Sequence, residues 1–299
     1  MGQGLRRAAA AGVLAAAALL YADSVGAQTR AAGCLDPATH DDADVLRLAA
    51  ALADPALCIG EVRVTENGRD WRLIVIANTA TPGPLWAVPH DDEDAGFTTA
   101  VAAVLRYGGT IVAVENGGAR LVGGQDPNLA FAADAAAAGV CPGARAVAPA
   151  YVAAFLAPWD RRFPVIGLHS NWDGHLAGGG LGAISVRRAD AKMIPFPSAV
   201  ATGRFADEDT IAMLVSARLP AANAAGQATV RLLNEAGVHV IYRHVTPANN
   251  ECTLADYLTL NRLGPYINLE VEHGDAATQA VLVDRLMLFL AAFPYRDVM

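Results

Sequence analysis

A histidine and a glutamate three residues apart, His90 and Glu93, lie in the stretch Trp86-Ala87-Val88-Pro89-His90-Asp91-Asp92-Glu93. Side chains so spaced, placed where a strand hands over to a helix, can converge on one point. An imidazole and a carboxylate in that arrangement could supply two protein ligands of a catalytic zinc site. The plainer alternative is an acidic helix start favoured by the helix dipole. Two further ionisable groups stand at the ends of apolar runs. His169 follows Phe163 to Leu168, where it also reads as an ordinary structural histidine. Glu270 lies in Asn268-Leu269-Glu270-Val271-Glu272-His273. Strand alternation sends Glu270 and Glu272 to one face, and carboxylates on an otherwise apolar strand are costly to bury without a task.

These residues need elements to position them, and the chain supplies an alternating series. Asp42 to Leu52 reads as an amphipathic helix with Val45, Leu48 and Leu52 inward. Val62 to Val64 and Trp71 to Ile76 read as paired strands joined through Asn67-Gly68, a strong hairpin signal. Leu85 to Val88 is a strand ended by Pro89, and Asp94 to Tyr107 a helix with Phe97, Val101, Val104 and Leu105 on one face and Gly108-Gly109 at its end. Then follow a strand Thr110 to Val114, a Gly-, Ala- and Pro-rich irregular stretch over 115–149, a helix Tyr151 to Leu156 and a strand Phe163 to Leu168. A strand near Ala183 to Val186, helical stretches Glu208 to Ala217 and Ala221 to Ala236, strands Val238 to Tyr242 and Tyr266 to Val271, and a helix Ala276 to Ala291 complete the series. Such alternation implies an α/β fold, a three-layer sandwich around a mixed, mostly parallel sheet. Ligands of open α/β sheets gather at the carboxyl ends of strands, where His90 with Glu93, His169 and Glu270 all fall.

Composition sets the surroundings. The 299 residues are 54% hydrophobic and 17% charged with a formal net charge of -8, so nucleic acid, which needs a basic patch, is not an expected partner. Residues 1–27 read as a secretory signal: Arg6-Arg7, an apolar run Ala8 to Leu20, and Val25-Gly26-Ala27 as the cleavage site. The expectation is an exported protein, periplasmic or secreted, with no membrane contact once the signal is removed and one domain over 28–299. Ala31-Ala32-Gly33-Cys34 resembles a lipoprotein box only faintly. Four cysteines in an oxidising compartment imply two disulfides. Of the three possible pairings the expected one joins Cys34 to Cys58, closing a small N-terminal loop, and Cys141 to Cys252.

The order of these motifs resembles the zinc carboxypeptidase family, including its succinylglutamate desuccinylase and aspartoacylase group. The shared pattern is His-x-x-Glu after a strand, a later Asp126-Pro127-Asn128, a histidine ending a strand and a glutamate on a late strand. It spans most of residues 71–290 in layout and is specific only at these short motifs. The resemblance implies that His90, Glu93 and His169 bind one zinc ion, with water in the open fourth position. It further implies that Glu270 is the general base that takes the water proton and returns it to the leaving amine, with Glu272 its rival for the role. Family members carry Asn-Arg where this chain has Asn128-Leu129, and that arginine holds a substrate carboxylate or oxyanion. Asn128 remains as a substrate donor and Arg120 is the nearest replacement, although a solvated arginine is the equal alternative. Tyr257 reads either as a cover over the site or as a packed core residue. The substrate expected is a small peptide or an acyl-amino acid.

Other readings fit less well. Pro89-His90-Asp91-Asp92-Glu93 is similar to the opening motif of zinc-dependent sugar N-deacetylases but lacks the spacer after the histidine, and no His-x-x-His follows. No Gly-x-Ser-x-Gly, P-loop or Rossmann pattern is present. Asp173, His175 and Gly178-Gly179-Gly180 form either a second ligand loop or a polar surface loop. The alternative from another class is a secreted binding protein that keeps the fold without activity.

Overall fold

The computed structural model describes residues 34–132, 134, 141, 146–172, 184–189 and 192–292. The expected signal segment, and the loop with Asp173, His175 and Gly178-Gly179-Gly180, lie outside these residues. Among the described residues nine strands form one sheet: β1 (Leu57–Glu66), β2 (Arg69–Asn78), β3 (Leu85–Val88), β4 (Thr110–Glu115), β5 (Val165–Asn171), β6 (Met193–Phe196), β7 (Ile211–Ser216), β8 (His239–His244) and β9 (Tyr266–Glu272). Their spatial order is β1-β2-β4-β3-β5-β9-β7-β8-β6. The sheet is mixed as expected, but it is half parallel rather than mostly parallel, because the β1-β2 hairpin, β6 and the β9-β7 step pair antiparallel. Its parallel core is β4-β3-β5-β9, a further parallel pair is β7-β8, and the other four of the eight pairings are antiparallel.

The helices are α1 (Ala43–Arg47), α2 (Ala49–Leu52), α3 (Asp94–Tyr107), α4 (Pro149–Leu156), α5 (Ala224–Glu235), α6 (Leu254–Leu260) and α7 (Ala276–Ala292). They cover both sheet faces. Phe97 and Val101 of α3, Val230 of α5 and Leu282 and Leu286 of α7 pack with Trp86, Ile166 and Leu269 on one side. Tyr151 and Phe155 of α4 and Leu254 and Leu258 of α6 pack with Leu85, Val165 and Met213 on the other. Successive residues of β3, β5 and β9 alternate between these two clusters, as the period of a strand requires. The three-layer expectation therefore holds.

Several local expectations hold for stated reasons. Asn67 and Gly68 both take positive φ, 53° and 71°, the pair a type I′ hairpin turn demands. The β1-β2 ladder runs unbroken from that turn, Glu66 opposite Arg69, to Leu57 opposite Asn78. Three expectations are corrected. Glu208 to Ala217 is not helical: Ile211–Ser216 is β7, a fully buried strand between β9 and β8. An apolar run buried on both faces carries no period to separate strand from helix, and here the two-sided sheet environment decides. The expected strand near Ala183 to Val186 is bend and turn over its described residues 184–186. Asp42 to Leu52 is broken at Leu48 into two short helices. Strand β6 and helix α6 arise outside any element expected from the sequence.

The disulfides are Cys34–Cys58 and Cys141–Cys252, the expected pairing, and there is no free cysteine among the described residues. Thiol titration of the purified protein, denatured without reductant, should find no reactive thiol. Two or more per chain would contradict the pairing. The bridges fit an oxidising, extracytoplasmic setting, and no helix among the described residues is long and apolar enough to cross a membrane.

Candidate metal centre

The central sheet creates its own crevice. β3 passes through α3 to β4 on one side of it, and the chain then returns through α4 to β5 on the other side. Connections leaving in opposite directions across opposite faces part at the carboxyl ends of β3 and β5, which is where open α/β sheets bind ligands. His90 follows β3, Glu93 immediately precedes α3, and His169 is two residues from the end of β5. His169, expected at the strand end after Leu168, lies slightly inside it because β5 runs on to Asn171.

The three side chains are buried and converge, with their ligating atoms all within 4.8 Å of one another. Glu93 is the hub. Its Oε1 lies 3.0 Å from His90 Nδ1 and accepts from Arg120 Nη1 at 2.9 Å. Its Oε2 accepts from the Ser170 backbone N–H at 3.1 Å and lies 3.4 Å from His169 Nδ1. Although Glu93 occupies the cap position of α3, its carboxylate makes no capping bond there. It is turned into the crevice instead. His169 is fixed from behind by Gln279 Nε2, which donates to its backbone carbonyl at 2.7 Å, and its buried Nε2 has no partner among the described residues.

Asp126 completes the shell, and it is the residue that sequence reasoning missed. Its Oδ1 meets His90 Nε2 at 2.9 Å and also caps the short 3₁₀ turn Pro127–Leu129 by accepting from the Asn128 N–H at 2.8 Å. A carboxylate on the far nitrogen of a histidine fixes ring orientation and makes the near nitrogen a better ligand. An Asp before Pro signals a cap, so the sequence carried a hint of its position but none of its partner. Asp126→Asn should weaken metal affinity about 10- to 100-fold, measured by competition with a chromophoric chelator. Unchanged affinity would reduce Asp126 to a cap.

The electrostatics follow from this packing. Burial opposes charge on His90, but the Glu93 and Asp126 carboxylates outweigh it and hold the imidazole up at about 9. Burial likewise opposes ionisation of Glu93, yet His90 and His169 bring it well below the usual carboxylate range. Two imidazoles and a carboxylate, with an ordered second layer, can hold a divalent metal ion. A second grouping, His40, Asp41 and Glu61, has its charge answered already, since Arg72 bonds both carboxylates.

Glu270 pairs in register with His169 across β5 and β9, so the two side chains share a sheet face. It is buried, and Asn268 Nδ2 donates to its Oε1 at 2.8 Å. Burial, with Glu93 nearby, raises its carboxyl above the ordinary range, partly offset by His169 and by the Asn268 bond. Gly167 is in register with Asn268, and a methyl there would stand 2.2 Å from the Tyr266 hydroxyl and 2.8 Å from Asn268 Oδ1. Only a glycine leaves room for this polar row. On its other side Glu270 borders a cavity of about 830 Å³, which Asn128 also lines and Glu272 does not.

The expected substrate residues separate. Asn128 reaches the cavity while its Oδ1 accepts from the Leu254 N–H at 3.3 Å. Arg120 is not among the cavity residues; its guanidinium is engaged by Glu93, with Asp92 at 3.4 Å and Asp126 at 3.9 Å. Tyr257 packs against Phe131, ring centroids 6.3 Å apart, which favours its packing role. Comparison of the chain with protein-family models, with curated proteins and with solved structures finds no match.

Proposed function

We propose that the chain is an exported zinc-dependent hydrolase that cleaves an amide bond in a small peptide, such as a cell-wall peptide, or in an acylated amino acid. The observation that carries this reading is the convergence of His90, Glu93 and His169 at the sheet's crevice, with Glu270 in register beside His169. Two histidines and one glutamate are a donor set suited to zinc with a position left open for chemistry. Zinc held there supplies Lewis-acid polarisation of a carbonyl and acidifies water toward neutrality. The motif order that resembles zinc carboxypeptidases, on a mixed α/β sheet flanked by helices, supports the choice of amide hydrolysis.

The chain's own groups have assignable tasks. Glu270, raised by burial above the ordinary carboxylate range and beside His169, is suited to take a proton from water and return it to the leaving nitrogen. Asn268 holds one of its oxygens and aims the carboxylate. Asp126 and Ser170 N–H fix His90 and Glu93, so the ligand geometry does not have to be assembled during turnover. Water contributes its hydroxyl to the acyl carbon and a proton to the amine as the C–N bond breaks.

Leu129 in the arginine position, together with the engagement of Arg120 by Glu93, favours one second reading, a non-catalytic binding protein on the same scaffold. Metal analysis of the purified mature protein, followed by hydrolysis assays on a peptide and acyl-amino-acid panel, separates the two. One zinc per chain with turnover is the expected result. Absence of zinc refutes the hydrolase, and zinc without turnover on any member of the panel supports the binding protein.

A further inference from the structure

The cavity beside Glu270 has a wall of uneven charge. It is lined by four cationic side chains, Arg187, Arg188, Lys192 and Arg243, against two carboxylates, Glu251 and Glu270. Arg243 is distinguished among them because it is buried, with a relative exposure of 4%. It rises from β8 and is clamped from behind by Asp256 of α6, which is fully buried and does not line the cavity. Nε and Nη2 donate to Asp256 at 2.9–3.0 Å, and Nη2 also reaches Glu251 at 2.8 Å. Nη1 has no partner among the described residues. A guanidinium at a cavity wall, pinned by two of its nitrogens, is an arm ordered before any ligand arrives. The N–H groups left on Nη1 can make charge-assisted hydrogen bonds to a carboxylate, stronger than those to a neutral acceptor.

We propose that this cavity receives the side-chain carboxylate of the residue on the amine side of the scissile bond and that Arg243 is the residue that selects it. The side of the scissile bond follows from Glu270, so the inference rests on the hydrolase reading at that one point. A base that returns its proton to the leaving nitrogen stands next to that nitrogen, and the cavity extends from Glu270 across β7 and β8, away from the β3-β5 crevice. The amine-side portion of the substrate therefore occupies it. Lys192 and Arg188 at the wall add to the field without needing direct contact. Arg243 is thus the anchor of that side-chain carboxylate in this chain.

The test is calorimetric binding of L-glutamate, L-glutamine and L-leucine, amine-side fragments with no bond to hydrolyse. Charge-assisted hydrogen bonds exceed neutral ones enough to predict a preference of about tenfold or more for glutamate over its isostere glutamine. Arg243→Gln combined with Asp256→Asn removes both buried charges together and should abolish the preference. Should that pair fail to fold, Arg243→Lys keeps a partner for Asp256 but loses the free arm, and should reduce the preference at least severalfold. Equal binding of glutamate and glutamine by the wild-type protein, no binding of glutamate, or a preference untouched in Arg243→Lys would each overturn the inference. The two readings fail separately. Glutamate preference without hydrolysis of any N-acyl-glutamate would uphold the cavity and refute the hydrolase; hydrolysis of neutral acyl-amino acids with no glutamate preference would do the reverse.

Discussion

His90→Ala should strip the protein of its metal and of hydrolysis while leaving it folded. One of three ligands is removed, together with the imidazole that links Asp126 to Glu93. Loss of a supporting group alone costs 10- to 100-fold in metal affinity, so loss of a ligand should exceed roughly 100-fold. Folding should survive because Glu93 keeps Arg120 and the Ser170 N–H as partners, and water can enter the polar space left behind. Zinc content by elemental analysis, with circular dichroism as the control for fold, decides the matter. Full zinc occupancy in the variant would sink the ligand assignment. A proton count gives an independent check. With His90 held at about 9 in the metal-free protein, the imidazole carries its proton at pH 7 and must release it to bind zinc. Zinc titration at pH 7 should therefore release a proton from His90, and affinity should fall by about tenfold per pH unit on this account as pH drops further below 9.

Glu270→Gln should keep zinc and fold and lose turnover by about a hundredfold or more, the usual effect of removing a general base. The substitution preserves shape, and Asn268 Nδ2 can donate to the amide oxygen as it does to the carboxylate. Zinc stays because Glu270 is outside the three-residue ligand group. Glu272→Gln is the matched control: two residues on, partly exposed and away from the cavity, it should change the rate little. The measurement is hydrolysis by wild type and both variants over the same substrate panel. Equal rates for wild type and Glu270→Gln would remove Glu270 from the mechanism, and a loss confined to Glu272→Gln would transfer the role.

The metal group was legible because its positions depend on local signals. An apolar run stopped by Pro89 and a helical face beginning near Asp94 place His90 and Glu93 at a junction from sequence alone, and β3 and α3 have the expected bounds. Asn67-Gly68 and the cysteine count are local in the same sense. What stayed hidden is what distant pairing decides. Strand β7 looks helical until β8 and β9 flank it. Asp126 is a turn residue until the fold brings His90 to it from 36 positions away. Arg243 lies just past the expected end of the strand Val238 to Tyr242, and only the fold, which extends that strand to His244 and sets Asp256 of α6 behind it, marks it out. Arg120 illustrates the reverse: its proximity in sequence to Asn128 suggested the substrate, and the fold gives it to Glu93 instead.

Cys252 is flanked by two cavity residues, Glu251 and Thr253, and is bonded to Cys141, 111 positions earlier in the chain. The wall that carries Glu251, and with it one contact of Arg243, is therefore finished by an oxidation event rather than by packing alone. On the proposed reading, synthesis and chemistry would be separated in time: a newly made chain with both thiols reduced has its ligand residues but lacks the cross-link that holds this wall. On the exported reading, competence would be acquired at the destination, which keeps a hydrolase idle among the peptides of the compartment that makes it.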